Sequence, residues 1–298
     1  MTDLGIVSLY PGIQVTHNSL SVSLDQSHYV DQLLVRYDMV DCNVAYTPAS
    51  SSTAIISEAA VPLAPKLHKL YTSLVGALLY LSICTRPDIS HAVMQLTRRM
   101  ASPSQLDWTA AKRVLRYLKG HRFPLTYSKT GTDSLPLHGY ADANFAGDVV
   151  SRKSTGGYVF MFQNGAISWR AKLQPIVTLS TTEAEYVALT SASQEAIYLR
   201  RLFDSLSIGT NGLTALFEDN LSAQALAMKD SNEHCDRTKH IDVRFHFIRQ
   251  LVKTLQLDIK HISTTHQLAD IFTKDLDKVR FHFLASAILQ TGAAVYRR

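Results

Sequence analysis

Apolar positions change rhythm along the chain, and the change predicts two differently built parts. In the first, alternating runs at 12–15 and 20–24 predict a hairpin turning near Asn18. A helix is predicted over 28–37, with Val30, Leu33 and Leu34 on one side. Residues 44–66 carry many Ser, Ala, Thr and Pro without periodicity and read as a connecting loop. An apolar helix follows over 71–83. Arg86-Pro-Asp88 stops it, because proline cannot continue a helix and biases its predecessor toward extended backbone. Helices over 89–100 and 106–119 complete this part (1–122), and residues 123–134, with Pro124 and Gly131, read as a linker.

The second part, 135–285, opens with a strand over 135–142. Strands at 156–162 and 166–169 flank Gln163-Asn-Gly165, where Asn-Gly signals a hairpin, and 176–179 reads as an extension of the second. A long helix is predicted over 182–206, with Ala184, Val187, Ala188, Leu199 and Leu202 near one stripe. Then come a strand at 213–217, helices at 221–228 and 239–255, a strand at 257–262, and a terminal helix from 268, before a tail at 286–298. The order predicts an α/β fold with a mixed five-stranded sheet flanked by helices. The part before it is smaller and mostly helical, with an N-terminal hairpin.

Composition narrows the class. A 46% hydrophobic share and a mean hydropathy of −0.01 exclude disorder as the dominant state. Thirty Lys and Arg against twenty-five Asp and Glu suit a polyanionic partner. Cys42, Cys84 and Cys235 lack CxxC spacing and read as thiols of a reducing compartment. No basic start precedes an apolar run, and the apolar stretch at 74–83 is too short to span a bilayer. The expectation is an intracellular protein, cytoplasmic or nuclear, not secreted and without a membrane partner.

Candidate chemistry rests on four acids: Asp142, Glu185, Asp219 and Asp270. Each has an ordinary explanation. Glu185 stands three after Thr182, and Glu183 three after Ser180, both capping-box spacings. Asp142 and Asp219 suit turns beside Asn144 and Asn220, and Asp270 suits a first helical turn. Together, at two strand ends and two helix starts, they point to one carboxylate cluster. Hard oxygen ligands suit Mg²⁺. Two such ions about 4 Å apart activate water and stabilise a leaving oxygen in phosphodiester hydrolysis. Asp148 reads as a solvated loop acid and Glu183 as a cap. Glu218 is expected on the opposite sheet face from Asp219.

Phrases along the second part of the chain resemble the ribonuclease H domain of copia-type LTR retrotransposon polyproteins. They are Tyr140-Ala-Asp142, Ser154-Thr-Gly-Gly-Tyr-Val159, Leu179-Ser-Thr-Thr-Glu-Ala-Glu-Tyr186, Glu218-Asp-Asn220, Arg237-Thr-Lys-His-Ile-Asp242 and Gln267-Leu-Ala-Asp-Ile-Phe-Thr-Lys274. Ser73-Leu-Val-Gly-Ala-Leu-Leu-Tyr80, Thr85-Arg-Pro-Asp-Ile89 and Ala111-Lys-Arg-Val-Leu-Arg-Tyr-Leu-Lys-Gly120 are similar to the stretch after the polymerase active site. The resemblance implies a ribonuclease H-like fold and cleavage of the RNA strand of an RNA–DNA hybrid, leaving a 3′-hydroxyl and a 5′-phosphate. It places two Mg²⁺ ions, or Mn²⁺ as a substitute, on Asp142, Glu185, Asp219 and Asp270. It offers His266, or His261, as a proton-transfer group before the last aspartate.

Basic residues supply the candidate nucleic-acid contacts. Lys112, Arg116 and Lys119 share one face of the predicted 106–119 helix, and Arg237, Lys239, His240, Arg244 and Arg249 form a second strip. A solvated face explains the first equally well. The crowd of His234, His240, His246, His261 and His266 lacks a helical HxxxH and reads as surface histidines rather than a zinc site. No Asp-Asp pair is present, so polymerisation is expected to need another portion of a Pol polyprotein. The alternative to a nuclease is a catalytically silent remnant that only binds nucleic acid.

Overall fold

A computed structural model of the chain describes residues 5–50, 61–128, 136–209, 212–228 and 239–291. Parts of the expected loop, linker and tail lie outside these residues, as do His234, Cys235 and Arg237. The chain divides into two compact units: 1–133 with 163–165 and 275–298, and 134–162 with 166–274.

In the first unit the expected hairpin is present. Strands β2 (Ile13–His17) and β3 (Ser21–Asp25) pair antiparallel, and the Asn18 N–H donates to the Ser21 carbonyl at 2.8 Å. β1 (Leu9–Tyr10) joins one side and β4 (Leu125–Ser128) the other. The first half of the expected linker is therefore a strand. Leu125 is fully buried, but four residues are too few to show an alternation in sequence.

Helices α1 (Ser27–Arg36), α2 (Pro65–Cys84), α3 (Ser90–Thr97) and α4 (Gln105–Gly120) build the rest. α2 starts earlier than expected because Pro65 suits a first helical position, where its missing N–H goes unneeded. Its 20 residues, with a best-window mean hydropathy of 1.3, are long and apolar enough to cross a membrane by length and composition. Here it buries Tyr71, Leu74, Leu78 and Leu81 in the unit's core.

Arg86-Pro-Asp88 does more than end α2. Buried Arg86 donates through Nε and Nη2 to the Asp88 carboxylate at 2.9 and 2.7 Å, and the Tyr117 hydroxyl adds a bond at 2.6 Å. Removing one partner of such a pair costs about 3–5 kcal/mol, because the other charge stays buried. This phrase of the chain is structural.

The second unit contains the expected mixed sheet: β5 (His138–Asn144), β6 (Thr155–Phe162), β7 (Gly165–Leu173), β8 (Thr214–Glu218) and β9 (Leu257–His261). Their order is β7-β6-β5-β8-β9, with β6 antiparallel to β5 and both the β5–β8 and β8–β9 pairs parallel. Gln163 and Asn164, at φ of 50° and 63°, form the tight turn that the Asn-Gly signal announced one residue later. β7 is longer than expected, and 176–179 is not a strand.

Helix α5 (Thr181–Ser205) covers the sheet. It buries Tyr186, Leu189, Ala192 and Leu199 against Leu216 of β8 and Ile259 of β9. Ile248 and Leu251 of a later helix, α7 (Lys239–Lys253), join that core, beside the short α6 (Leu221–Met228).

The predicted terminal helix is two elements. Leu268–Phe272 is a 3-10 turn, and α8 (Lys278–Leu289) starts afresh where the Asp277 carboxylate accepts from the N–H groups of Val279 and Arg280 at 2.9 and 3.1 Å. α8 packs in the first unit, with Phe281 edge-on to Tyr117 and His282 beside His121. The second compact unit therefore ends at Lys274 instead of 285.

Candidate metal centre

Strand alternation sends Ala141 and Ala143 of β5 into the packing beneath α5, with Ala143 against Ala184 and Ala188. Three small residues let the helix start close to the sheet. Asp142, between them, is fully buried and accepts bonds from the Thr273 hydroxyl and from Lys274 Nζ at 3.1 Å. β8 runs parallel to β5 with Tyr140 opposite Phe217, so two residues further on Asp142 and Asp219 share one end of the sheet. Asp219 accepts from the Thr264 hydroxyl at 2.8 Å.

Capping explains Glu183 but not Glu185. Ser180 is the N-cap of α5, accepting from the Glu183 N–H at 3.1 Å, while the Glu183 carboxylate accepts from the Leu179 N–H at 2.7 Å. Thr182 caps nothing. Glu185 thus stands in the second turn, not the first, 7% exposed, with its Oε2 lacking any hydrogen-bond partner.

Among the described residues, Asp142, Glu185 and Asp219 each offer a carboxylate oxygen, all within 4.8 Å of one another. Asp270 stands at one remove. Its carboxylate accepts from Lys274 Nζ at 2.9 Å, and the same ammonium bridges to Asp142. It sits on the 3-10 turn rather than in the first turn of the last helix, which starts afresh at the Asp277 cap.

Glu218 adds a further acid to this region. It is fully buried, its Oε1 accepts from the Asn220 N–H at 3.1 Å, and its Oε2 has no partner. Its charge acts on Glu185 more strongly than any other carboxylate does. It keeps the strand alternation with Thr214 and Leu216, on the side of β8 that α5 covers, and there it acts on Glu185. An acid beside the candidate acid at a strand end was the available signal.

The electrostatics follow from burial. Desolvation pushes the Asp142 carboxyl up to about 6 against the opposing pull of Lys274. Desolvation, and then neighbouring carboxylates, pushes Glu185 and Glu218 well above the usual range. Buried acids with unpaired oxygens, crowded together, are destabilised as anions unless a cation joins them. An all-oxygen donor set of this kind fits a hard divalent ion.

Other candidates are placed as follows. His261 and His266 are exposed, and His266 Nδ1 bonds the Ser263 and Thr265 hydroxyls at 2.9 and 3.1 Å, close in sequence to the Thr264 that meets Asp219. Asp148 is not solvated: it is 6% exposed and accepts from the Ser151 N–H and hydroxyl. Arg116 Nε and Lys119 Nζ donate to the Asn43 and Cys42 carbonyls, each at 2.7 Å, and Lys112 lies over the Trp108 ring. Lys239 and His240 fall at the start of α7, and half-buried Arg244 lines a cavity beside α5.

No protein-family model matches the chain. It is 38% identical over 288 residues to the retrovirus-related Pol polyprotein from transposon TNT 1-94 of Nicotiana tabacum, covering 94% of this chain and 21% of that one. With the corresponding polyprotein from transposon RE2 of Arabidopsis thaliana it shares 36% identity over 270 residues, 91% of this chain and 18% of the relative. The chain thus spans about a fifth of the length of these curated relatives. The crystal structure of RNase H1 from Halobacterium salinarum NRC-1 superposes with a TM-score of 0.34 at 18% identity, covering 47% of this chain and 95% of that one.

Proposed function

Since the chain belongs to the copia-type, retrovirus-related transposon Pol polyproteins, we propose that it carries their ribonuclease H step: Mg²⁺-dependent endonucleolytic hydrolysis of the RNA strand of an RNA–DNA hybrid. The observation that carries this reading is the convergence of Asp142, Glu185 and Asp219, with the second oxygen of buried Glu185 lacking a hydrogen-bond partner among the described residues.

In this reading Asp142, Glu185 and Asp219 hold the divalent ions, with Asp270 completing the set, and Mn²⁺ substitutes for Mg²⁺. When bound, the metal supplies an activated water and neutralises charge on the leaving oxygen. The chain's own residues prepare the site. The Thr273 hydroxyl and Lys274 fix the Asp142 carboxylate, and Thr264 fixes that of Asp219. Glu185 stays free of the helix cap because Ser180 and Glu183 satisfy it. Burial of the carboxylates excludes bulk water and sharpens their pull on a cation. We assign proton delivery to the leaving 3′-hydroxyl to His266, exposed at the end of a separate 3-10 turn, Thr264–His266, that also carries Thr264. The polymerase portion of a polyprotein is the proposed partner.

The test is incubation of the purified chain with an end-labelled hybrid, with and without Mg²⁺, beside Asp142→Asn. Metal-dependent cutting lost in the variant supports the assignment. Cutting that survives the substitution removes the site, and tight binding without cutting identifies a silent remnant.

A further inference from the structure

Beside α5, on the side of β6 and β7, the second unit holds a cavity of about 260 Å³. Three cations line it: Arg170 and Lys172, both exposed on edge strand β7, and Arg244 of α7. Its described lining contains no Asp or Glu. Glu195, near the same strands, is engaged by the Tyr158 and Ser168 hydroxyls at 3.3 and 2.6 Å.

Two residues of the wall each carry a buried polar atom that no described group satisfies. Arg244 Nη1 is buried and has no acceptor among the described residues. Gln174, 4% exposed, donates from Nε2 to the Ala184 carbonyl at 2.8 Å, which fixes its amide orientation. Its Oε1 is then a buried acceptor without a donor. An unfilled donor and acceptor in one wall call for a ligand bearing both an anion and a hydroxyl. Arginine suits a phosphate through its planar fork, and an amide oxygen suits a sugar hydroxyl. A ribose-phosphate joins the two, and the 2′-hydroxyl is what separates RNA from DNA.

Residues of its wall neighbour the carboxylates in sequence and strand register. Val187 and Ala188 in its wall follow Glu185 along α5, and Gly157 pairs with Asp142 across the sheet. We propose that it is a docking site for a ribose-phosphate unit of the RNA strand, away from the bond being cut. This rests on the nuclease reading for its choice of nucleic acid.

Binding of a fluorescent hybrid, and of the same-sequence DNA duplex, is measured in chelator across a salt series. Arg244→Gln should weaken hybrid binding about tenfold. It should also lower the slope of log affinity against log salt by about one. Lys172→Gln, on the exposed edge strand where folding is not at risk, should lower that slope too. Gln174→Met should narrow the preference for hybrid over DNA without changing the slope. Wild-type affinity, slope and preference in all three variants would overturn the proposal. Should Asp142→Asn still cut while these shifts appear, the nuclease site fails and the cavity stands. Metal-dependent cutting with unshifted binding sinks the cavity alone.

Discussion

Gly157 lies directly opposite Asp142 in the β5–β6 ladder, and its missing side chain is what lets the 3-10 turn reach Asp142. A Cβ there would stand 2.6 Å from Phe272 Cβ and 2.9 Å from Thr273 Cγ2. The neighbouring Gly156 faces α5 with no atom nearer than 3.4 Å. Gly157→Ala should therefore cost roughly 1–3 kcal/mol, as overpacking does, and push Thr273 and Lys274 off Asp142. Gly156→Ala should be close to neutral. Thermal unfolding and cleavage rates of the two alanine variants check this; equal behaviour would contradict it.

Acidity should matter most without metal. Asp142 is raised to about 6, and Glu185 and Glu218 are raised further, so the folded protein holds protons that the unfolded chain sheds near pH 4. Stability from these groups is present below that pH and lost as pH rises through their folded values. In the first unit, His282 is lowered to about 4 by burial first and His121 second, so its contribution is lost as pH falls instead. Melting in chelator at pH 5 and pH 8 should show Glu185→Gln gaining on the wild type at pH 8, on the order of 1–3 kcal/mol. Added Mg²⁺ should raise the wild type at pH 8 and leave that variant nearly unmoved. A pH-independent gap between the two proteins would contradict the electrostatics.

Arg116 and Lys119 are tied to the Asn43 and Cys42 carbonyls, which gives them a structural task. The double variant Arg116→Ala with Lys119→Ala should lose about 1–2 kcal/mol of stability. Hybrid affinity should change little. A salt slope that falls by about two with unchanged melting would return these residues to phosphate contact.

Much of this was legible in the sequence, for reasons visible in particular residues. The β5, β6 and β8 runs and the long α5 carry strong periodicity, so the mixed sheet and the ends bearing Asp142 and Asp219 followed from pattern. The capping arithmetic was ambiguous between Thr182 and Ser180; backbone geometry chose Ser180 and released Glu185. Pattern could not show that Asp277 would restart a helix and leave Asp270 on a 3-10 turn. Nor could it show Lys274 spanning two carboxylates, or Glu218 buried against Glu185 of α5. Those depend on contacts between segments far apart in the chain.

The most direct measurement compares wild type with Glu185→Gln in Mg²⁺ at pH 8 on an end-labelled RNA–DNA hybrid. The substitution keeps the shape and the neutral state that the fold itself favours, so melting should hold while cutting falls at least about a hundredfold. A variant that cuts at the wild-type rate would contradict the metal centre built on Asp142, Glu185 and Asp219.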